Sequence, residues 1–389
     1  EALARASGQK PARLEDPALA ARMFGGSRTL SPTQIETYHS CPFKYFCRYG
    51  LGARERRPAE VDVMQYGTLM HYLFEQVFRR EGGAAPAEDD TALEEQVWQL
   101  ILTYARQNMG GFELLSGRER YRLDRLARSA CRLIRHVREE LAQSKFSPEY
   151  FELGLGEDPA FPPLKIEDGA GNTVTVGGTI DRADTFTAAD GRRYIRVIDY
   201  KTGHKVFRLA DVLYGLNMQM LVYLAALVES GQRFPAGILY MPAAEPEVPG
   251  ERGDSPDELA QAADKQLRMS GLVLEDAEII HAMEEGAKGR FIPVTLKKDG
   301  GLGRGSSALG EEDLRRVLEH SKRLIASMSR ALQEGRVEAA PTMVNQNDCK
   351  YCPYGSVCGK EYGEKDVRQD RSSPDAVLAK MAGEEAHHG

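Results

Sequence analysis

The sequence predicts an α/β protein, and three features carry that reading. Helix-start signals and helical spacing fill the first third of the chain, strand-type alternation takes over at Tyr150, and a helix followed by a short apolar run then leads back to the sheet. Ser31-Pro32-Thr33-Gln34 combines an N-cap serine, a first-turn proline and a glutamine that can close a capping box. A helix is therefore expected from Ser31, carrying Ile35 and Tyr38 and ending by Gly50. A second is expected near Gly67, with His71 and Glu75 one turn apart on one face. Beyond the Gly/Pro/acid-rich break at 82–90, helices over about 91–108 and 118–144 form a helical insertion, about residues 91–145, ahead of the sheet. Val174, Val176 and Ile180, then Ile195, Val197 and Ile198, supply strands joined by a hairpin turn at Ala189-Asp190-Gly191. A helix over about 209–229, strands at Ile238–Met241 and Phe291–Leu296, and a long helix over 311–334 complete the pattern, with surface loops at 242–257 and 300–310. The Ala/Arg-rich, aperiodic residues 1–30 are expected to be a linker or the remnant of a preceding domain, and residues 364–389 a poorly ordered tail.

The 389 residues hold 51 Lys+Arg against 58 Asp+Glu, a net charge of −7, which excludes a nucleic-acid binder that depends on bulk positive charge. The longest apolar stretch, Leu221–Val228, falls far short of the roughly 18 residues that a spanning helix needs, so a cytoplasmic protein without a membrane partner is expected. Length alone allows two domains or one large elaborated one. The chain opens on Glu1, which suggests the C-terminal piece of a longer protein.

The chemistry concentrates in Gly178-Thr179-Ile180-Asp181 and Ile198-Asp199-Tyr200-Lys201. If the hairpin turns about Asp190, Asp181 lies opposite Asp199 on one face of the sheet, and Lys201, two residues on, projects from that face. Opposed carboxylates repel unless a cation lies between them. A divalent metal resolves the conflict, and two carboxylates, a metal and a lysine are what phosphodiester hydrolysis needs. An isolated Asp-x-Lys is more often a solvated ion pair, and the hairpin geometry counts against that reading here.

The six cysteines divide unevenly. Cys349, Cys352 and Cys358 lie within ten residues, a compact thiolate set suited to zinc or an iron–sulfur cluster, both of which usually take four ligands. Cys41 and Cys47 lie about 300 residues earlier, and Cys131 reads as a small apolar core residue.

Taken together, Gly67-Thr68-Leu69-Met70-His71, Gly-Thr-Ile-Asp181, Ile198-Asp199-Tyr200-Lys201 and Gln219-x-x-x-Tyr223 resemble the RecB-like branch of the PD-(D/E)XK nucleases, over most of Ser31 to Gly363. The resemblance implies a restriction-endonuclease-like core with a mixed central sheet. It further implies Mg2+ held by His71, Asp181, Asp199 and the Tyr200 carbonyl, a catalytic Lys201, and Gln219 and Tyr223 ordering the active site and the DNA strand. Cys41-Pro42-Phe43-x-Tyr45-Phe46 with the C-terminal x2, x5 spacing resembles the 4Fe-4S segments of AddB-type helicase–nuclease subunits. Cys41 is then the fourth ligand beside Cys349, Cys352 and Cys358, with Cys47 as its rival, and the cluster clasps the N- and C-terminal segments together.

That family implies an exonuclease that cleaves the 5′-terminated strand as the motor feeds it from a double-strand end, in recombinational repair. It also implies an AddA-like helicase–nuclease subunit as heterodimeric partner, and no Gly-x4-Gly-Lys-Ser/Thr loop occurs in this sequence to supply the ATPase itself. A Cas4-like iron–sulfur nuclease shares the pattern but is usually about half this long. A non-catalytic DNA-binding scaffold is the third reading, and the intact His71, Asp181, Asp199 and Lys201 weigh against it. Residues 118–138 hold eight arginines against Glu119 and Asp124, a local charge of +6, and Arg118, Arg122, Arg125 and Arg132 form one helical stripe suited to tracking DNA phosphates.

Overall fold

The computed structural model describes residues 13–54, 63–80, 90–203, 205–231, 233–248, 255–342, 347–358 and 372–388. The strands among them are, in chain order, β1 (Arg28–Leu30), β2 (Ser147–Leu155), β3 (Leu164–Glu167), β4 (Thr173–Val176), β5 (Gly178–Thr187), β6 (Arg193–Lys201), β7 (Phe234–Pro242), β8 (Ser270–Leu274) and β9 (Ala308–Leu309). The helices of seven residues or more are α1 (Pro17–Phe24), α2 (Pro32–Ser40), α3 (Val63–Arg80), α4 (Asp90–Asn108), α5 (Gly117–Gln143), α6 (Gln219–Glu229), α7 (Pro256–Leu267), α8 (Ala277–Met283), α9 (Glu311–Gln333) and α10 (Pro374–His388).

Strands β2-β5-β6-β7-β8-β9 form a six-stranded mixed sheet, and β1-β4-β3 a small second one. The pairs β2/β5 and β5/β6 are antiparallel, β6/β7 parallel. A parallel pair needs a crossover, and α6 supplies it. Strand β6 is buried from Tyr194 to Tyr200, so it has protein on both faces.

The expected helix from Ser31 forms with both capping-box bonds, but it ends at Ser40. Cys41 is extended, with φ −168°, because Pro42 bars the helical conformation from the residue before it. A short helix Pro42–Tyr45 and a single wide turn Phe46–Gly50 follow. The expected helix over 209–229 divides in the same manner, since Gly215 and Asn217 take positive φ and place Gln219 at the first turn of a new helix. No regular strand forms at Phe291–Leu296, where Pro293 interrupts the run; the sheet takes β8 and β9 instead.

The two ends correct the expected domain limits. Residues 1–12 and 359–371 lie outside the described residues. Residues 13–30 are not a linker: α1 buries Ala20 and Phe24, and Leu30 joins the core through β1. Part of the expected tail is a helix, α10, which buries Val377 and Met381. No described helix is long and apolar enough to cross a membrane.

Candidate active site

The hairpin register decides where the carboxylates fall. Arg182 pairs with Ile198 and Ala183 with Val197, so one further step along the ladder sets Asp181 across from Asp199. Alternation then puts Asp181, Asp199 and Lys201 on one face and Arg182, Asp184, Arg196 and Tyr200 on the other. On the first face, Lys201 Nζ is 2.6 Å from Asp199 Oδ2 and 3.4 Å from Gln219 Oε1. Asp181 Oδ2 accepts the Tyr200 backbone N–H at 2.8 Å and lies 3.3 Å from His71 Nδ1. The other ring nitrogen of His71, Nε2, is 2.9 Å from the Tyr200 carbonyl oxygen. Helix α3 is held in that register by its apolar face, where Phe74 packs on the Tyr200 ring at 4.5 Å between centroids. The residues expected from the sequence, His71, Asp181, Asp199, Tyr200 and Lys201, therefore converge.

Gln219 and Tyr223 close the site from α6. A Cβ at Gly178 would meet Tyr223 Oη at 2.4 Å, and Gly178 has φ +151°, so the strand needs glycine for Tyr223 to reach the start of β5. Glu36 of α2, which no sequence motif marks, caps α6. Its Oε1 accepts the backbone N–H of Met218 at 2.8 Å and of Gln219 at 3.2 Å.

Glu152 is a second site residue that no motif marks. Pairing of Phe151 with Arg182 and Leu153 with Ile180 places it opposite Asp181, and its carboxylate is 3.8 Å from His71 Nδ1. Its φ of +46° is a conformation that non-glycine residues seldom take. Its signal in the sequence is faint, because Ser147–Leu155 shows no clear alternation and β2 is legible only once paired with β5.

Behind the site, on the other face, Glu140 of α5, Arg182, Asp184 and Arg196 form a fully buried four-charge network. Arg182 Nη2 lies 3.1 Å from Glu140 and 2.9 Å from Asp184, and Arg196 Nη2 2.6 Å from Glu140 and 2.8 Å from Asp184. Two cations balance two anions, and removing any one would strand an uncompensated charge. The network pins the β5/β6 register on which the carboxylate pair depends.

A divalent cation fits the first face. The ligand-type atoms of His71, Glu152 and Asp181 lie within 4.8 Å of one another. Burial, and then the charge of Asp181, push the Asp199 carboxyl up to about 6 against the pull of Lys201, as expected of a buried carboxylate that faces a second one. Burial disfavours the charged form of His71, yet its hydrogen bonds to Asp181 and Glu152 outweigh that and push it up to about 10. A proton on His71 thus stands in for the missing positive charge.

Residues 29–359 match the PD-(D/E)XK nuclease superfamily, which takes in the whole of this site. The chain belongs to that superfamily. It is also similar to proteins named as the B subunit of an ATP-dependent helicase/deoxyribonuclease. It is 34% identical to that of Clostridium novyi over 349 residues, 87% of this chain and 31% of the relative. For Acetivibrio thermocellus the identity is 33% over 350 residues, 87% of this chain and 30% of the relative. The chain thus spans about 30% of the length of these relatives.

In this PD-(D/E)XK domain the cysteines gather from both ends. Burial pushes the Cys41 thiol up to about 11 against the pull of the Phe43 and Lys44 backbone amides, and the nearby sulfurs of Cys358 and Cys352 add to the rise. Thr342 N–H donates to Ser40 O at 2.7 Å and Phe43 N–H to Glu338 O at 3.0 Å, so the segment before Cys349 is laced to the segment around Cys41. Cys349 joins Cys352 through its carbonyl oxygen, which accepts the Cys352 N–H at 3.2 Å, and soft thiolates of this kind are suited to zinc or an iron–sulfur cluster. Cys47 and Cys131 are buried. The arginine stripe of the nuclease divides. Arg118, Arg122, Arg125 and Arg132 are all exposed, but Arg132 lies 3.3 Å from Glu245, and between them Arg128 pairs with Asp124.

Proposed function

We propose that the domain hydrolyses DNA phosphodiester bonds with Mg2+ as the nuclease of a helicase–nuclease complex. The observation that carries this reading is that His71 reaches both the Tyr200 carbonyl and Asp181, on the same sheet face that carries the Asp199–Lys201 pair. Bound there, the metal supplies Lewis acidity to the scissile phosphoryl group and a more acidic water. Asp181, with Glu152 beside it, and Asp199 hold negative charge for it. Lys201 offers its ammonium to charge that develops on the phosphate, steadied by Asp199 and by Gln219 Oε1 at 3.4 Å. The relatives are named as one subunit of a larger enzyme, which supports a second chain in the complex, and we take that chain as an AddA-like helicase–nuclease partner. In that setting the domain acts in the cytoplasm as an exonuclease on the 5′-terminated strand during double-strand break repair. The approach of Cys352 and Cys358 to Cys41, together with the x2, x5 spacing, supports a 4Fe-4S centre on Cys41, Cys349, Cys352 and Cys358; iron and sulfide analysis of anaerobically purified protein tests it, and a colourless protein with one zinc refutes it.

Asp199→Ala and Lys201→Ala are each expected to lower Mg2+-dependent cleavage by roughly a hundredfold or more, with circular dichroism and melting temperature near those of the parent. Undiminished cleavage by either variant would remove the site assignment.

A further inference from the structure

A groove of about 510 Å³ runs between α3, α4, α5 and the chain leaving β7. Its floor includes Met109, Leu123 and Leu126, and it is flanked by Tyr66 and Tyr104. Both rings are held in place. Ser129 is within hydrogen-bond reach of the Tyr66 hydroxyl, and the Tyr104 ring packs on Tyr72 at 5.3 Å between centroids. Arg122 and Arg125 also line the groove, are exposed, and form no ion pair among the described residues. Of the two acids that line it, Glu245 takes a hydrogen bond from Ser129 at 2.9 Å and an ion pair from Arg132 at 3.3 Å. The exposed Glu247 is left against two free guanidinium groups.

Two walls of the groove approach the end of the catalytic strand. Tyr66 precedes Gly67, where a Cβ would lie 3.6 Å from Thr202 Oγ1, and Ala244 on the opposite wall follows Ala243, whose N–H donates to Lys201 O at 2.8 Å. Each wall therefore stands one residue from a contact with Lys201 or Thr202.

We infer that this groove holds the bases of single-stranded DNA flanking the scissile phosphate, stacked against Tyr66 and Tyr104, with Arg122 and Arg125 on the adjoining phosphates. The inference deepens the nuclease reading and rests on it. Fixed aromatic faces bind bases whatever their sequence, and unpaired arginines beside them follow the backbone, which suits an enzyme that must take any strand fed to it. Arg128 and Arg132 are engaged by protein carboxylates, so the stripe along α5 narrows to the part that adjoins the groove.

The test uses the full helicase–nuclease complex without divalent metal and single-stranded oligonucleotides carrying 5-iododeoxyuridine at successive positions. Photo-adducts on the peptides that contain Tyr66 or Tyr104 are expected. In parallel, Tyr66→Leu and Tyr104→Leu should each weaken binding of a fluorescein-labelled oligonucleotide roughly tenfold. That loss should vanish when an abasic site replaces the base that crosslinks. Adducts confined to the carboxylate site, with the parent protein indifferent to abasic substitution, would overturn the groove assignment and leave the nuclease reading standing. Absence of DNA binding, and of cleavage once Mg2+ is added, would overturn the two together. Hydrogen-exchange protection of residues 104–109 and 122–126 by the partner chain alone, unchanged by DNA, would make the groove a protein interface and overturn the inference as well. The crosslinking arm uses unsubstituted protein, so a variant that fails to fold does not blunt the test.

Discussion

His71 joins proton and metal chemistry in one side chain. With its pKa pushed up to about 10, the metal-free site carries an imidazolium at neutral pH, ion-paired to Asp181 and near Glu152. The sign follows from the direction of the shift. The proton contributes fold stability that is fully present below the ordinary value of 6.5 and is lost as pH rises through about 10. A metal ligand must be neutral, so binding a divalent cation expels that proton. Mg2+ affinity is therefore expected to rise about tenfold per pH unit between roughly pH 7 and pH 9, with about one proton released per metal. Calorimetry in two buffers of different ionisation enthalpy measures the release, and a buffer-independent heat would remove His71 from the ligand set. Glu152→Gln keeps the shape and removes one of the two anions that hold the proton, and it is expected to flatten the pH dependence while weakening Mg2+ binding.

At the scale of elements, the site is assembled where secondary structure breaks. The hairpin register, the helix that presents His71 and the crossover helix are all legible in the sequence, because alternation, helical spacing and a turn triplet are local signals. Glu152 and Glu36 are not, because their roles exist only after β2 pairs with β5 and α2 meets α6. The same limit explains the expected helix over 209–229: a continuous apolar pattern conceals the positive φ at Gly215 and Asn217 that restarts the helix at Gln219. That restart leaves α6 without a side-chain cap of its own, and Glu36 serves instead. Losing a cap costs about 1 kcal/mol. Glu36→Ala is accordingly expected to lower the melting temperature by only a few degrees but to cut cleavage about tenfold, as Gln219 loses its hold beside Lys201. Glu36→Gln retains an accepting oxygen and should recover most of the activity; an inactive Glu36→Gln with an active Glu36→Ala would overturn this positioning role.

For the whole molecule, the division of the cysteines between the two ends has a mechanical counterpart that precedes any cluster. Leu14 N–H donates to Gly335 O at 2.7 Å, Thr342 N–H to Ser40 O at 2.7 Å, and Tyr354 Oη to Ala53 O at 2.7 Å, so the ends are already stitched around the sheet. A cluster on Cys41 and the C-terminal three would turn that stitching into a covalent closure of about 300 residues, a loop length for which the chain-entropy gain is roughly 5 kcal/mol. The carboxylate face does not depend on it, since β5 and β6 are fixed from behind by the buried Glu140, Arg182, Asp184 and Arg196 network. Cys352→Ser, or removal of iron by chelation, is therefore expected to lower the melting temperature by roughly 10 °C and to open residues 40–54, 335–342 and 347–358 to protease. Mg2+ binding at the sheet should persist in the same protein. If cluster loss abolished Mg2+ binding before the ends became protease-sensitive, the clasp and the active site would be one cooperative unit, and the independence argued from the buried network would be wrong.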